Sequence, residues 1–429
     1  MKNILGGLQW AVFLFASSIA APIAIAHVFG MDSADTSLFI QRTIFILGIA
    51  CLVQVLIGHR LPINEGPAGI WWGVFVVYAG MVGILYPTMG QSLQVLQSGQ
   101  MYSGIIFILL AITGLIGKMK NLFTPTITFV YLTLLVLQLS GTFVKGMLGV
   151  EEVGESVDPI IAVASLVIMI ATYFMMSSKN KWLQRYSVLL SILLGWLLFL
   201  IVGKAENVDF KGDSWISFPD VFVYGPPVWD TGMFVTALFI TLLLVANMMA
   251  SIRVMESVYK KSFGIDHPDR MKHGSIASGV NQILAGIFSA IGPVPISGAA
   301  GFVSATKMAK LKPFVFGAII VVIISVLPNV IAVFSALPAP VAFAVTFTIF
   351  TKMVEMALKE LESEENKGRA YTVSAYALMT GVGLMFVPVD SLGNLPDVVS
   401  VILSNGMIVG TIVGITLEQL FKKKKNQFI

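Results

Sequence analysis

One cysteine, Cys51, stands among 429 residues. An intrachain disulfide is therefore impossible, and so is a zinc site built of cysteines. Charge is scarce as well: Asp, Glu, Lys and Arg make up 12% of the chain, against 56% apolar residues. A soluble domain carries about twice that charge, so the composition excludes an ordinary water-soluble fold. The formal net charge of +4 does not mark a nucleic-acid binder, because the cations sit at the ends of apolar segments and not on one basic face. The apolar runs contain no His/Asp/Glu cluster, no metal-ligand spacing and no phosphate-cradling glycine loop. Enzyme chemistry has no seat here, and neither metal nor cofactor is expected. A channel is disfavoured by the lack of a filter-like motif or charged ring. The 21 methionines read as apolar filler.

What the chain does have is long apolar helix. Fourteen stretches of spanning length follow one another from 5–28 to 399–421, which predicts an all-α, multi-pass membrane protein. The first stretch has the Lys2 and A-x-A spacings of a signal peptide, yet it is long enough to cross a bilayer and reads as a retained span. With Lys2 inside, the inner loops carry Arg60, Lys118, Lys120, Lys179, Lys181, Arg185, Lys260, Lys307 and the tail Lys422–Lys425. The outer loops hold the acids Glu151, Glu152, Glu155, Asp209 and Asp213, with Lys145, Lys204 and Lys211 as their cations. This alternation predicts two cytoplasmic termini in the cell membrane, the basic tail resting on anionic lipid.

Two of the fourteen stretches cannot be continuous helix. The tenth, 291–309, opens I-G-P-V-P-I-S-G-A-A-G, and the third, 66–86, is entered through L-P-I-N-E-G-P-A-G. Proline lacks a backbone N–H and pushes the preceding residue out of helical geometry, so both entrances are expected to be extended. Extended backbone at membrane depth must be shielded in protein or line a wet cavity. The second break comes seven spans after the first, and seven is odd, so the second half is inverted relative to the first. The expected fold is a seven-plus-seven inverted repeat whose breaks meet near the midplane, with short helices leading away from them.

These segments resemble the nucleobase/ascorbate transporters, the second nucleobase:cation symporter family, which includes bacterial uracil and xanthine permeases. Gln9 matches the Gln of that family's first-span Gln-His pair, with Trp10 in the second position. The run Gly58–Gly69 is similar to its lead into span three. In span ten, Gly301, Thr306 and Lys307 match the signature, while Gly298 stands for its acid or amide and Ala299 for its Asn. In span eight, Asn247 and Ser251 stand where members carry Glu and, four residues on, His.

The resemblance implies a secondary transporter for a nucleobase such as uracil or xanthine, with proton or sodium symport and an elevator-like mechanism. It also implies a core domain (1–124 and 230–337) moving against a gate domain (125–229 and 338–429), and a homodimer. Facilitated diffusion is an alternative. So is an anion carrier of the sulfate-permease type on the same fold, where paired half-helix N-termini would bind the ion.

Candidate substrate residues are Gln9, Glu65, Gly69, Asn247, Ser251, Ser297, Gly298 and Ala299. Asn247 offers a donor and an acceptor that fit the lactam edge of a nucleobase, or it makes an ordinary helix-to-helix hydrogen bond. Glu65 reads as a substrate or proton carboxylate, or else as an ion pair at the cytoplasmic mouth beside His59 and Arg60. Trp71 and Trp72 either stack on a planar ring or fill core. Asn281 and Gln282 read as structural glue, and Arg42 as a side chain that snorkels to the surface.

Overall fold

The computed structural model describes residues 2–119, 122–150, 156–205, 208 and 215–426. Glu151, Glu152, Glu155, Asp209, Asp213, Lys120 and Lys211 lie outside the described residues, as do the side chains of Lys2, Lys118, Arg185 and Lys422–Lys425. In chain order the elements are α1 (Lys2–Ala16), α2 (Ala20–Val28), α3 (Ser33–Leu56), β1 (Glu65–Pro67), α4 (Gly69–Ala79), α5 (Met89–Ile112), α6 (Ile116–Met119), α7 (Pro125–Met147), α8 (Pro159–Met176), α9 (Lys181–Arg185) and α10 (Ser187–Ile201). The second half runs α11 (Thr231–Phe263), α12 (Met271–Ile287), β2 (Pro293–Pro295), α13 (Gly298–Thr306), α14 (Leu311–Ser325), α15 (Pro328–Ser335), α16 (Ala339–Ser363), α17 (Lys367–Met385), α18 (Asp397–Leu403) and α19 (Gly406–Asn426).

Side chains start the long helices where the sequence places them. Asp32, Thr88, Thr124 and Asp230 each accept from an amide three residues on, satisfying donors that a helix start leaves free. Pro125 and Pro159 occupy the first helical turn, where the missing N–H costs nothing.

Among the described residues, seven segments are long and apolar enough to cross a bilayer, with α1 and α2 counted together, or nine if two bent pairs each count as one span. Three stretches expected to be continuous are interrupted. Residues 313–335 bend by 86° between α14 and α15, and 399–421 by 83° between α18 and α19. The first bend precedes Pro328, which cannot continue a helix from the residues before it. The first stretch breaks at Ser17–Ile19, where the Ser17 hydroxyl turns back to the Leu14 carbonyl at 3.0 Å, the local competition that serine offers a helix.

The helices pack in two groups. Helices α1, α3, α5, α11, α12 and α14 contact one another, and α7, α8, α10, α16, α17 and α19 do the same. Contacts of α2 with α16 and of α4 with α7 join the groups. One expectation fails outside them: Arg42 does not snorkel. It is 3% exposed because the segment from Trp215 to Asp230 lies over the end of α3. Tyr224 Oη stands 3.2 Å from the Arg42 guanidinium, and Gln41 donates to the Ser217 carbonyl at 2.7 Å.

Candidate functional site

The two proline-rich interruptions meet. Strands β1 and β2 pair antiparallel, with Glu65 opposite Pro295, Gly66 opposite Val294 and Pro67 opposite Pro293. The ladder continues at both ends, Ile296 N–H to the Asn64 carbonyl at 2.9 Å and Ala68 N–H to the Gly292 carbonyl at 3.0 Å. Three of the six strand residues are prolines with no N–H to donate, so the sheet stays short and cannot recruit a further strand there. Each interruption thus satisfies the other's backbone, which lipid cannot do.

Side chains from neighbouring helices hold the crossing in place. On α12, Gln282 accepts from Trp71 Nε1 at 2.8 Å and donates to the Pro293 carbonyl at 2.7 Å. On α11, the Ser251 hydroxyl donates to the Pro295 carbonyl at 2.7 Å. On α3, Cys51 Sγ accepts from the Glu65 amide at 3.2 Å. The space around Gly292 is so tight that an added Cβ would lie 2.4 Å from Gln282 Oε1 and 2.6 Å from the Trp71 ring.

Beyond the crossing the two half-helices differ. At the start of α4, Gly69 faces α7 and α16, with Phe350 Cζ 3.3 Å from where a Cβ would stand. At the start of α13 the chain opens out. Gly298 and Gly301 are exposed; a Cβ on Gly298 would meet only Ile296 at 3.7 Å, and one on Gly301 would meet nothing within 4 Å. The amides of Ser297 and Gly298 find no acceptor among the described residues. They are free donors at a helix N-terminus, where the aligned peptide dipoles add partial positive charge. Asn247 lies one helical turn before Ser251 on the same face of α11. It is half-buried, and its amide makes no hydrogen bond within the described residues.

The candidate residues therefore separate. Ser297 and Gly298 belong to the open side, and Asn247 is half-buried and unbonded on α11 among the described residues. Ala299 is buried and Ser251 is committed to Pro295, so both support the crossing and offer no free group. Gln9 is exposed and makes no side-chain hydrogen bond among the described residues, while its neighbour Trp10 packs on Phe302 of α13 at 4.5 Å between ring centroids. Trp71 is fully buried and bonded to Gln282, and Trp72 packs against Phe143 and Phe350. Glu65 is neither at an aqueous mouth nor on the open side. It is 1% exposed, and its carboxyl turns into a separate small cavity lined by Leu14, Ser18, Cys51 and Val321 among others.

One contributor was missed from the sequence: the break in the first span comes to the crossing, where Asn64 Nδ2 stands 3.3 Å from Ser17 Oγ. Its signal was the pair Ser17–Ser18 inside an apolar run.

Comparison with known proteins gives this geometry its context. Residues 1–390 match the xanthine and uracil permeases, described as a permease family. The chain is 41% identical over 431 residues to the "Putative purine permease YwdJ" of Bacillus subtilis (strain 168), covering 99% of this chain and 98% of the relative. It is 22% identical over 439 residues to the uric acid permease PucK of the same organism, covering 98% and 95%. Among solved structures, the transmembrane domain of the cyanobacterial bicarbonate transporter BicA superposes with a TM-score of 0.64 at 15% identity, covering 92% of this chain and 98% of that one. That likeness concerns the fold alone. The chain belongs to the xanthine and uracil permease family, and it is a multi-pass membrane transporter.

Proposed function

We propose that this permease carries a nucleobase, most simply a purine, and binds it at the open start of α13 against Asn247. The observation that carries the reading is a set of polar groups without a partner among the described residues, the Asn247 amide and the Ser297 and Gly298 amides, together with two exposed glycines at the start of α13. A purine lactam presents a donor and an acceptor side by side, and the Asn247 carboxamide offers the complement without taking a proton. The α13 amides suit a ring carbonyl. The names of YwdJ and PucK, a purine and a uric acid permease, favour purine over uracil.

The two helix groups suit an elevator-like motion. Residues 1–124 and 230–337 form the core that holds the crossing; 125–229 and 338–429 form the gate. Each of the fourteen expected stretches contains a described helix, in keeping with a seven-plus-seven inverted repeat whose bent pairs count as single spans. Both termini lie in the cytoplasm, and protons or sodium drive uptake. Homodimer formation is part of the same reading.

The test is uptake of labelled uracil, xanthine, hypoxanthine and urate into cells lacking their own permeases. Saturable purine uptake that other purines compete for supports the reading. Transport inhibited only by sulfate or bicarbonate replaces it with an anion carrier.

A further inference from the structure

Two carboxylates of the described chain are essentially fully buried, Glu65 and Glu418. They are handled differently. Glu418 lies 3.3 Å from the guanidinium of Arg369, an ion pair at the cytoplasmic end of α17 and α19 in the proposed topology. Glu65 has no such cation: among the described residues neither carboxyl oxygen has a hydrogen-bond partner, and His59 Nε2 stands 4.0 Å away, beyond hydrogen-bond reach.

His59 is also fully buried, and its ring is fixed by its own loop. The Leu61 amide donates to His59 Nδ1 at 3.0 Å. Nδ1 is then an acceptor, so the ring proton sits on Nε2, the nitrogen that faces Glu65. A small approach would let that N–H stabilise an ionised Glu65. In the arrangement seen, an ionised carboxylate would be buried without a partner, which is too costly to persist, so this is the geometry of the neutral acid.

The cavity beside Glu65 has room for about one water. Its walls come from α1 and the turn after it, α3, β1 and α14, and among the described residues its one side-chain oxygen besides the carboxyl pair is the Ser18 hydroxyl. A hard metal cation wants about six oxygen ligands, and a purine is far larger than the space. A proton is the ligand that fits. The other titratable or charged groups nearby are Cys51, whose Sγ accepts from the Glu65 amide, Arg270, which donates to the Gly58 carbonyl at 2.8 Å, and His267 across the loop.

Building on the nucleobase reading, we infer that Glu65 takes up the coupling proton in a compartment of its own, sharing no residue with the substrate face at Asn247, Gly298 and Gly301. The step is H⁺ + Glu65–COO⁻ → Glu65–COOH. His59 is a positioning residue that steadies the ionised form. The link between proton and substrate is short. Glu65 pairs with Pro295, and the adjacent Asn64 carbonyl holds the Ile296 amide, two residues before α13 begins. Movement of β1 on protonation therefore reaches the free amides at the start of α13.

Infrared difference spectroscopy of the purified transporter, titrated with acid and base, detects a protonated carboxyl without any substrate. A titrating acid carbonyl band is expected in the wild type, displaced in Glu65→Asp and missing from Glu65→Gln; its persistence unchanged in Glu65→Gln overturns the assignment. In proteoliposomes, a gradient of about one pH unit sustains about tenfold accumulation if one proton moves with each substrate. Wild type is expected to approach this, whereas Glu65→Gln only equilibrates purine. Gradient-driven accumulation by Glu65→Gln, or sodium-driven accumulation by the wild type that ignores the pH gradient, overturns the inference. His59→Leu is expected to move the pH profile of uptake upward by about one unit; an unmoved profile removes the role given to His59. A wild type that shows the band yet carries no purine refutes the substrate reading alone, and the band still supports the proton site.

Discussion

Ser251 of α11 donates its hydroxyl to the carbonyl of Pro295 across 2.7 Å, with both residues buried. The bond ties the long helix that carries Asn247 to the strand that precedes α13, and so sets the distance between the two halves of the proposed substrate face. Ser251→Ala leaves a buried carbonyl without this donor, which costs about 1 to 3 kcal/mol. The expected outcome is a lower unfolding temperature in detergent together with weaker purine uptake. Unchanged melting and uptake would show that the tie is not needed.

Asn247 presents the opposite case. Its amide has no partner among the described residues, so Asn247→Ala removes no hydrogen bond seen there and should leave melting within about 0.5 kcal/mol of wild type. Purine uptake should fall by at least tenfold, the loss of a bidentate contact worth about 1.4 kcal/mol or more. Membrane content measured alongside uptake separates a lost contact from a lost protein.

Much of this arrangement was legible in the sequence. Proline at 62, 67, 293 and 295 dictated two interruptions, and these are the segments that pair as β1 and β2. The direction of side chains was not legible. Along an extended segment they alternate between faces, and nothing local to Glu65 says that its carboxyl turns toward Cys51 and not toward α13. The hydrogen-bonding choice of Ser251 was equally hidden, since the same i, i+4 spacing puts Asn247 and Ser251 on one face whether each serves substrate or scaffold. The break at Ser17–Ile19 and the bends near Val326 and Ser404 sit in runs apolar enough to read as continuous, because hydropathy reports burial and not backbone direction. Arg42 was misplaced for a related reason: its cover, from Trp215 to Asp230, is distant in sequence.

Two glycines six residues apart should give contrasting variants. Around Gly298 the space is open, so Gly298→Leu meets no backbone, and the protein should reach the membrane and melt normally while purine uptake disappears. Around Gly292 the space is filled by Gln282 and Trp71. Gly292→Ala forces these apart and should cost about 1 to 3 kcal/mol as an overpacked site, seen as reduced membrane content and a lowered melting temperature. If Gly298→Leu proves the less stable of the two, the open side has been misidentified.

Gln282 joins three elements through one carboxamide: its carbonyl takes the Trp71 indole proton and its amide serves the Pro293 carbonyl. The side chain is 1% exposed, so no water replaces either bond when it is lost. Gln282→Leu keeps the volume but strands both partners, and the expected loss is about 2 to 6 kcal/mol, the sum of two buried groups left unsatisfied. Gln282→Glu is the more discriminating change. A carboxylate can still accept from Trp71, but it has no proton to give Pro293, and two acceptors would then face each other. Protonation restores the donor, so the variant should be more stable in acid than at neutral pH, the folded state binding a proton that the unfolded chain releases. Melting curves across that pH range test the point: a variant whose stability does not rise toward low pH would mean that the bond to Pro293 contributes little to holding the crossing.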